Sequence, residues 1–143
     1  MKMAIRITLL LLALVMSVSF VACADIEKTG AWETASYDSD KTFGNGSKTI
    51  QVEVKAEEQS LTFTIKTDAE TLREAMEEHR LIAGDEGPYG LYVKAVNGVV
   101  ADFDNGGYWW GLSKNGESLM TGVDGVIIAD GEHYEFTRTN TYE

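Results

Sequence analysis

The stretch "TIQVEVKAEEQSLTFTIKTDAETLREAMEEHRL" (residues 49–81) changes its period partway along, and that change decides the fold class. In its first part Ile50, Val52 and Val54 alternate with Gln51, Glu53 and Lys55, and Leu61, Phe63 and Ile65 alternate with Thr62, Thr64 and Lys66. Successive side chains of a strand point to opposite faces, so each run is a half-buried strand; a polar turn at Glu57 to Gln59 joins the two into an antiparallel hairpin. From Thr67 the spacing becomes helical. Ala69, Leu72, Ala75, Met76 and His79 fall along one side, and Thr67 with Glu70 makes a capping-box pattern. A helix of about three turns is expected on one face of the sheet. The glycines and proline of "AGDEGPYG" (residues 83–90) are expected to end it.

Outward from this stretch the chain reads as short strands and tight turns. "LYVKAVNGVVADF" (91–103) carries Asn97-Gly98 and "WWGLSKNGESLM" (109–120) carries Asn115-Gly116, both type I′ hairpin signals. Asp124-Gly125 and Asp130-Gly131 mark further turns, and "EHYEFTRT" (132–139) sets Tyr134 and Phe136 on one face of a last strand. Upstream, Trp32, Tyr37 and Phe43 are costly to leave in water, so that segment is a first strand or an ordered arm, followed by a turn at "FGNGSK" (43–48). A hairpin, one helix and then several strands predict an α+β fold, a β-grasp-like mixed sheet with one helix packed on one face, in a single domain over residues 32–143.

The N-terminal residues bear on location. Lys2 and Arg6 precede an apolar run over residues 7–22, shorter than the roughly 20 residues that cross a bilayer, which is the charge and length of a secretory signal. The run closes on "SFVACAD" (19–25), which resembles a bacterial lipobox with Ala22 before a lipidated Cys23, although Phe20 stands where leucine is more usual. The same letters contain Ala22-Cys23-Ala24, an A-x-A pattern that an ordinary signal peptidase cuts after Ala24. Cys23 is the only cysteine, which favours lipidation and excludes a disulfide within the chain. The expected organisation is a lipoprotein-type signal peptide over 1–22, a tether over 23–31 and the domain beyond, exported and lipid-anchored at the bacterial cell surface or the outer face of the membrane. Loss of Lys2 and Arg6 takes the net charge from -11 to -13. That acidity argues against nucleic acid and against anionic membrane surfaces, leaving the lipid as the only contact with the membrane.

Chemically the chain offers little for catalysis. His79 and His133 lie 54 residues apart with no cysteine or carboxylate at ligand spacing, so no metal site is expected and each reads as a solvated or helix-end histidine. In "ADFDNGGYW" (101–109) Asp102 and Asp104 match the first ligands of a calcium loop, but Gly106 and Ser113 fall where further ligands should stand; a turn whose side chains bond their own backbone explains the letters. No nucleophile, acid–base pair or phosphate loop is visible, and the protein reads as a non-enzyme with no required cofactor.

Tyr108, Trp109 and Trp110 stand side by side before the Asn115-Gly116 turn. Alternation separates Trp109 from its two neighbours, so either Trp109 is core and Tyr108 with Trp110 face outward, or the reverse; the alternative is that all three are buried or shielded by the Trp32 arm. At least one ring beside Leu119, Met120 and Thr121 would make a flat apolar platform, suited to a corrinoid ring, a sugar face or a protein partner.

"YDSDKTFGNGSKTIQVEVKA" (37–56), "TLREAMEEHRLIAGDEGPYGLYVKAVNGVVADF" (71–103) and "YWWGLSKNGESLMTGVDGVIIADGEHYEF" (108–136) together resemble a bacterial exported domain family of uncharacterised function. That family is similar to the carboxy-terminal domain of transcobalamin and intrinsic factor. The resemblance implies a β-grasp-like fold and a corrinoid, cobalamin-like, as ligand, with the aromatic strand and following loop presented to it: Tyr108, Trp109, Trp110, Leu119, Met120 and Thr121. The carriers also have a large helical domain over the other side of the vitamin, which this sequence lacks. Two roles therefore stand as expectations. One is a cell-surface lipoprotein that binds a small ligand for uptake and passes it to an importer; the other is a surface-tethered protein–protein interaction module that docks an envelope protein.

Overall fold

The computed structural model describes residues 25–141, so the signal segment and Cys23 lie outside the described residues. The alternating stretch folds as read. Strand β2 (Lys48–Ala56) and strand β3 (Gln59–Thr67) pair antiparallel, with Ile50 opposite Ile65 and Val52 opposite Phe63. Strand β1 (Lys41–Gly44) adds parallel to β3. On the other side strand β9 (His133–Thr139) lies parallel to β2, and strand β7 (Trp109–Lys114) lies antiparallel to β9 and carries the short β8 (Glu117–Ser118). The result is a mixed six-stranded sheet in the order β1-β3-β2-β9-β7-β8.

One face of this sheet is apolar and closed. Ile50, Val52, Val54, Leu61, Phe63, Ile65, Tyr134 and Phe136 are buried along it. They are covered by helix α1 (Leu72–Glu77) through Leu72, Ala75 and Met76, and by Trp32, whose indole N–H donates to the Ala56 carbonyl at 2.9 Å. A second, three-stranded sheet joins this layer: β4 (Ile82–Gly87), β5 (Gly90–Val96) and β6 (Val99–Val100), all antiparallel. The α+β reading holds, with a mixed sheet and one helix on one face; the small second sheet is an addition to it.

Three local expectations are corrected. The helix is six residues rather than three turns, and its capping box is Thr71 with Glu74, not Thr67 with Glu70. Thr67 is instead the buried end of β3, accepting from the Ala69 N–H at 3.0 Å and donating to Glu78 at 2.9 Å. The helix ends before any glycine: Arg80 takes φ +56, and the N–H groups of Leu81 and Arg80 return to the carbonyls of Met76 and Glu77. This is a Schellman ending with an arginine in the left-handed position, stabilised because the buried Leu81 is locked into the core. Residues 82–87 are thereby released to form β4, where a helix-ending loop was expected. Gly84 marks a bulge in that strand, since a Cβ there would meet the Tyr92 carbonyl at 1.9 Å.

The Asn97-Gly98 and Asn115-Gly116 turns form as read, with positive φ at all four residues. The aromatic arm is ordered: Trp32 is fully buried, and Tyr37 and Phe43 pack on Phe63. Residues expected in the tether are held against the domain from Asp25 onward, through a bridge to Ser39 and a bond from the Ile26 N–H to the Asp38 carbonyl. Among the described residues no helix is long and apolar enough to cross a membrane.

Candidate functional site

Where the two sheets approach each other, a cleft of about 230 Å³ opens. Leu91 and Val93 of β5 form one wall; Trp110 and Leu112 of β7 form another. The segment after β8, with Leu119, Thr121 and Val123, closes a third side, and Phe136 of β9 also lines it. A second hollow of about 400 Å³ under the Pro88-Tyr89 turn shares Leu91, Tyr92 and Gly122 with the first, so the two make one groove. Its surroundings keep large apolar groups in water: Tyr89 is 96% exposed, Tyr92 50% and Met120 98%.

The walls are set by one charged hub. The Arg73 guanidinium of α1 bonds Glu77 at 2.9 Å, Asp124 at 2.7 Å, and Glu86 of β4. Asp124, in a 3-10 turn over Val123–Gly125, uses its other oxygen to accept the Leu91 N–H at 2.8 Å. That bond and Arg73 hold the Asp124 carboxyl below the usual carboxylate range, while Glu86, Asp124 and Glu77 push the guanidinium up. Gly90 lets the chain pass, since a Cβ there would come within 2.4 Å of the Asp124 carboxylate. Sequence reading missed this hub, because Glu86 and Asp124 lie 13 and 51 residues from Arg73 and only Glu77 is a neighbour on the helix.

The expected site residues separate. Trp110 is on the inner face with Leu112, opposite Arg138 and Phe136 on β9, and lines the cleft; its indole N–H is buried with no hydrogen-bond partner among the described residues. Trp109 alternates to the outer face, where its ring lies 3.5 Å from the place a Cβ on Gly111 would take, yet it also borders the cleft. Tyr108 precedes the strand and is covered by the Arg138 guanidinium, 3.7 Å from its ring centre. Leu119 and Thr121 line the cleft, whereas Met120 projects into water without lining it. Of the six residues expected, Trp109, Trp110, Leu119 and Thr121 meet at one place. Leu91, Val93 and the Pro88-Tyr89 turn were not anticipated; the exposed tyrosines of "GPYGLY" are the signal that could have found them.

One of the two histidines departs from expectation. His79 follows the helix end, as read, and stacks on Phe43 at 4.9 Å. His133 is half-buried rather than solvated, with Nε2 3.2 Å from Glu53 Oε2 and 3.8 Å from Glu135 Oε1. Glu135 lies two residues along on the same face of β9, a ligand spacing that strand alternation offered and the sequence reading passed over, whereas Glu53 comes from the neighbouring strand, which sequence spacing could not reveal. Lys55 binds the same two carboxylates, and its ammonium is pushed up by the bond to Glu135. The Asp102 carboxylate is taken by its own turn, accepting from the Asp104 N–H at 3.2 Å and from Asn105 at 3.0 Å, as the turn reading required.

The fold and the groove together make an α+β domain with an open cleft between its two sheets. Residues 69–140 match the family described as a domain of unknown function, DUF4430, and the chain belongs to that family. It is similar to the crystal structure of a protein from Ruminococcus gnavus described as a candidate metal-binding protein: 35% identical, TM-score 0.63, covering 66% of this chain and 99% of that one. It is also similar in fold to haptocorrin in complex with Cbi, at 19% identity and TM-score 0.57, covering 70% of this chain and 27% of haptocorrin. No curated protein sequence matches the chain.

Proposed function

We propose that the protein is a non-catalytic ligand-binding lipoprotein, anchored through Cys23 at the outer surface, that holds a flat, partly apolar small molecule of the corrinoid class in the groove between β5 and β7 for transfer to an importer. The observation that carries this reading is the groove itself. Leu91, Val93, Trp110, Leu112 and Leu119 line it, and Tyr89, Tyr92 and Met120 are left in water beside it. Exposed apolar surface around a concavity marks a binding site more often than chance burial does. The buried indole N–H of Trp110, without a partner among the described residues, adds one polar donor to a residue of the wall.

Both structural relatives carry ligand-binding descriptions, which supports binding as the general role. The two hollows of the groove, about 230 and 400 Å³, give it the size of drug-sized ligand sites of roughly 300–1,000 Å³. A corrinoid is larger than such ligands, so a single small domain would cover it on one side only and hold it with modest affinity.

Isothermal titration of the purified protein with cobalamin and with cobinamide tests the proposal. Saturable binding near or below about 10 μM, some 7 kcal/mol, is expected with at least one of them. The exposed Tyr89→Ala and Met120→Ala variants should weaken it without loss of fold. No heat with either corrinoid would overturn the corrinoid reading and return the groove to the alternative role of docking an envelope protein.

A further inference from the structure

We propose that His133, Glu53 and Glu135 form a binding site for a divalent metal ion of the zinc class, on the outer face of the six-stranded sheet and apart from the groove. Parallel pairing of β2 with β9 sets Gln51 beside His133 and Glu53 beside Glu135. Two carboxylates directly opposite each other on neighbouring strands repel, so the pair requires a cation.

Lys55 supplies one, on one side. It meets Glu135 Oε2 at 3.0 Å and Glu53 Oε1 at 3.6 Å. The other two oxygens, Glu53 Oε2 and Glu135 Oε1, turn toward His133 Nε2 at 3.2 and 3.8 Å. One ligand atom from each of the three residues lies within 4.8 Å of the others. Ligands bound at about 2.0–2.2 Å around a tetrahedral ion sit roughly 3.3–3.6 Å apart, so only small side-chain rotations separate this arrangement from coordination.

The histidine carries the second part of the argument. Its Nδ1 lies 3.3 Å from Gln51 Oε1, so both ring nitrogens face oxygen acceptors. A neutral ring has one N–H; when Nδ1–H donates to Gln51, the lone pair of Nε2 points at two carboxylates. A cation between them removes that conflict. A ligating histidine whose other nitrogen is held by an outer-shell acceptor is the usual arrangement of metal sites, and Lys55 orients the carboxylates in the same way. One imidazole and two carboxylates leave a fourth position for water. The three side chains are 20–30% exposed, so an ion can reach them.

The test is zinc chloride titrated calorimetrically into the chelator-treated protein in a Cys23→Ser background, with the ring nitrogens of His133 followed by NMR. One saturable equivalent is expected, with Nε2 shifting to a metal-bound position while Nδ1 stays protonated. His133→Gln and Glu135→Gln should each weaken binding by more than about tenfold, and Gln51→Leu by about tenfold, whereas His79→Gln should leave it unchanged. These side chains lie on the solvent face, and circular dichroism checks that the fold is kept. Absence of saturable binding, equal binding in His133→Gln, or a doubly protonated ring that zinc does not alter would overturn the site. Each of these results is independent of whether a corrinoid binds in the groove.

Discussion

The centre of the six-stranded sheet and its β7 end follow the same alternating pattern and finish differently. At the centre Ile50, Val52, Val54, Phe63 and Ile65 are completely buried beneath the helix and Trp32. At the other end every residue of β7 is only half-buried, and Tyr89 and Met120 stand almost fully in water nearby. An apolar face is thus a necessary condition for a core but not a sufficient one. The element packed over it decides whether it stabilises the fold or remains open as a binding surface.

The sharpest way to break this comparison is to remove mass from the closed end. Phe63→Ala should cost about 3–5 kcal/mol, read from the urea midpoint, because it leaves a cavity among Tyr37, Phe43 and the central strands. A cost below about 1 kcal/mol would mean that the centre is not the part that holds the molecule together. Asp124→Ala comes next. It leaves the Leu91 N–H without its acceptor and Arg73 without one partner, so a loss of about 1–3 kcal/mol is expected, with faster amide exchange at Leu91 than at Val52.

A pH series sharpens the same point. The Asp124 carboxyl is held low by the Leu91 N–H and Arg73. In Glu132 burial pushes the carboxyl up, but bonds from Lys114, Tyr134 and the Ala129 N–H outweigh it and hold the group low. For depressed carboxyls the stabilisation is present above the unfolded value of about 4 and is lost as pH falls through the lower folded value. Unfolding midpoints should therefore be flat near neutrality and fall below about pH 4, less steeply in Asp124→Ala. The smallest effect is expected at the open end. Met120→Ser should change stability by no more than about 0.5 kcal/mol, and a larger loss would show that this residue is structural rather than a free rim.

Much of the closed end was legible in the residues. The alternation at 50–54 and 61–65 and the two Asn-Gly turns depend on chemistry within a few positions, and all formed as read. The helix ends were less legible because the local signals repeat: Thr67 with Glu70 and Thr71 with Glu74 carry the same capping pattern, and only the buried side chain of Thr67 shows that β3 still claims it. At the aromatic segment, alternation narrowed Tyr108, Trp109 and Trp110 to two arrangements. Pairing of β7 with β9 selected the one in which Trp110 faces inward beside Leu112 and Phe136.

By itself, then, the sequence determined strand alternation, the turns, the helix face, the α+β class and the expectation of an exported, acidic chain. Tertiary structure alone decided that Arg73 ties α1 to β4 and Asp124, that Leu91 faces Trp110 across a groove, and that Glu53 joins His133 and Glu135. The physical reason is register. Hydrogen bonding between β2 and β9 joins residues about 80 positions apart. No local pattern in either strand records which residue of the other will lie beside it.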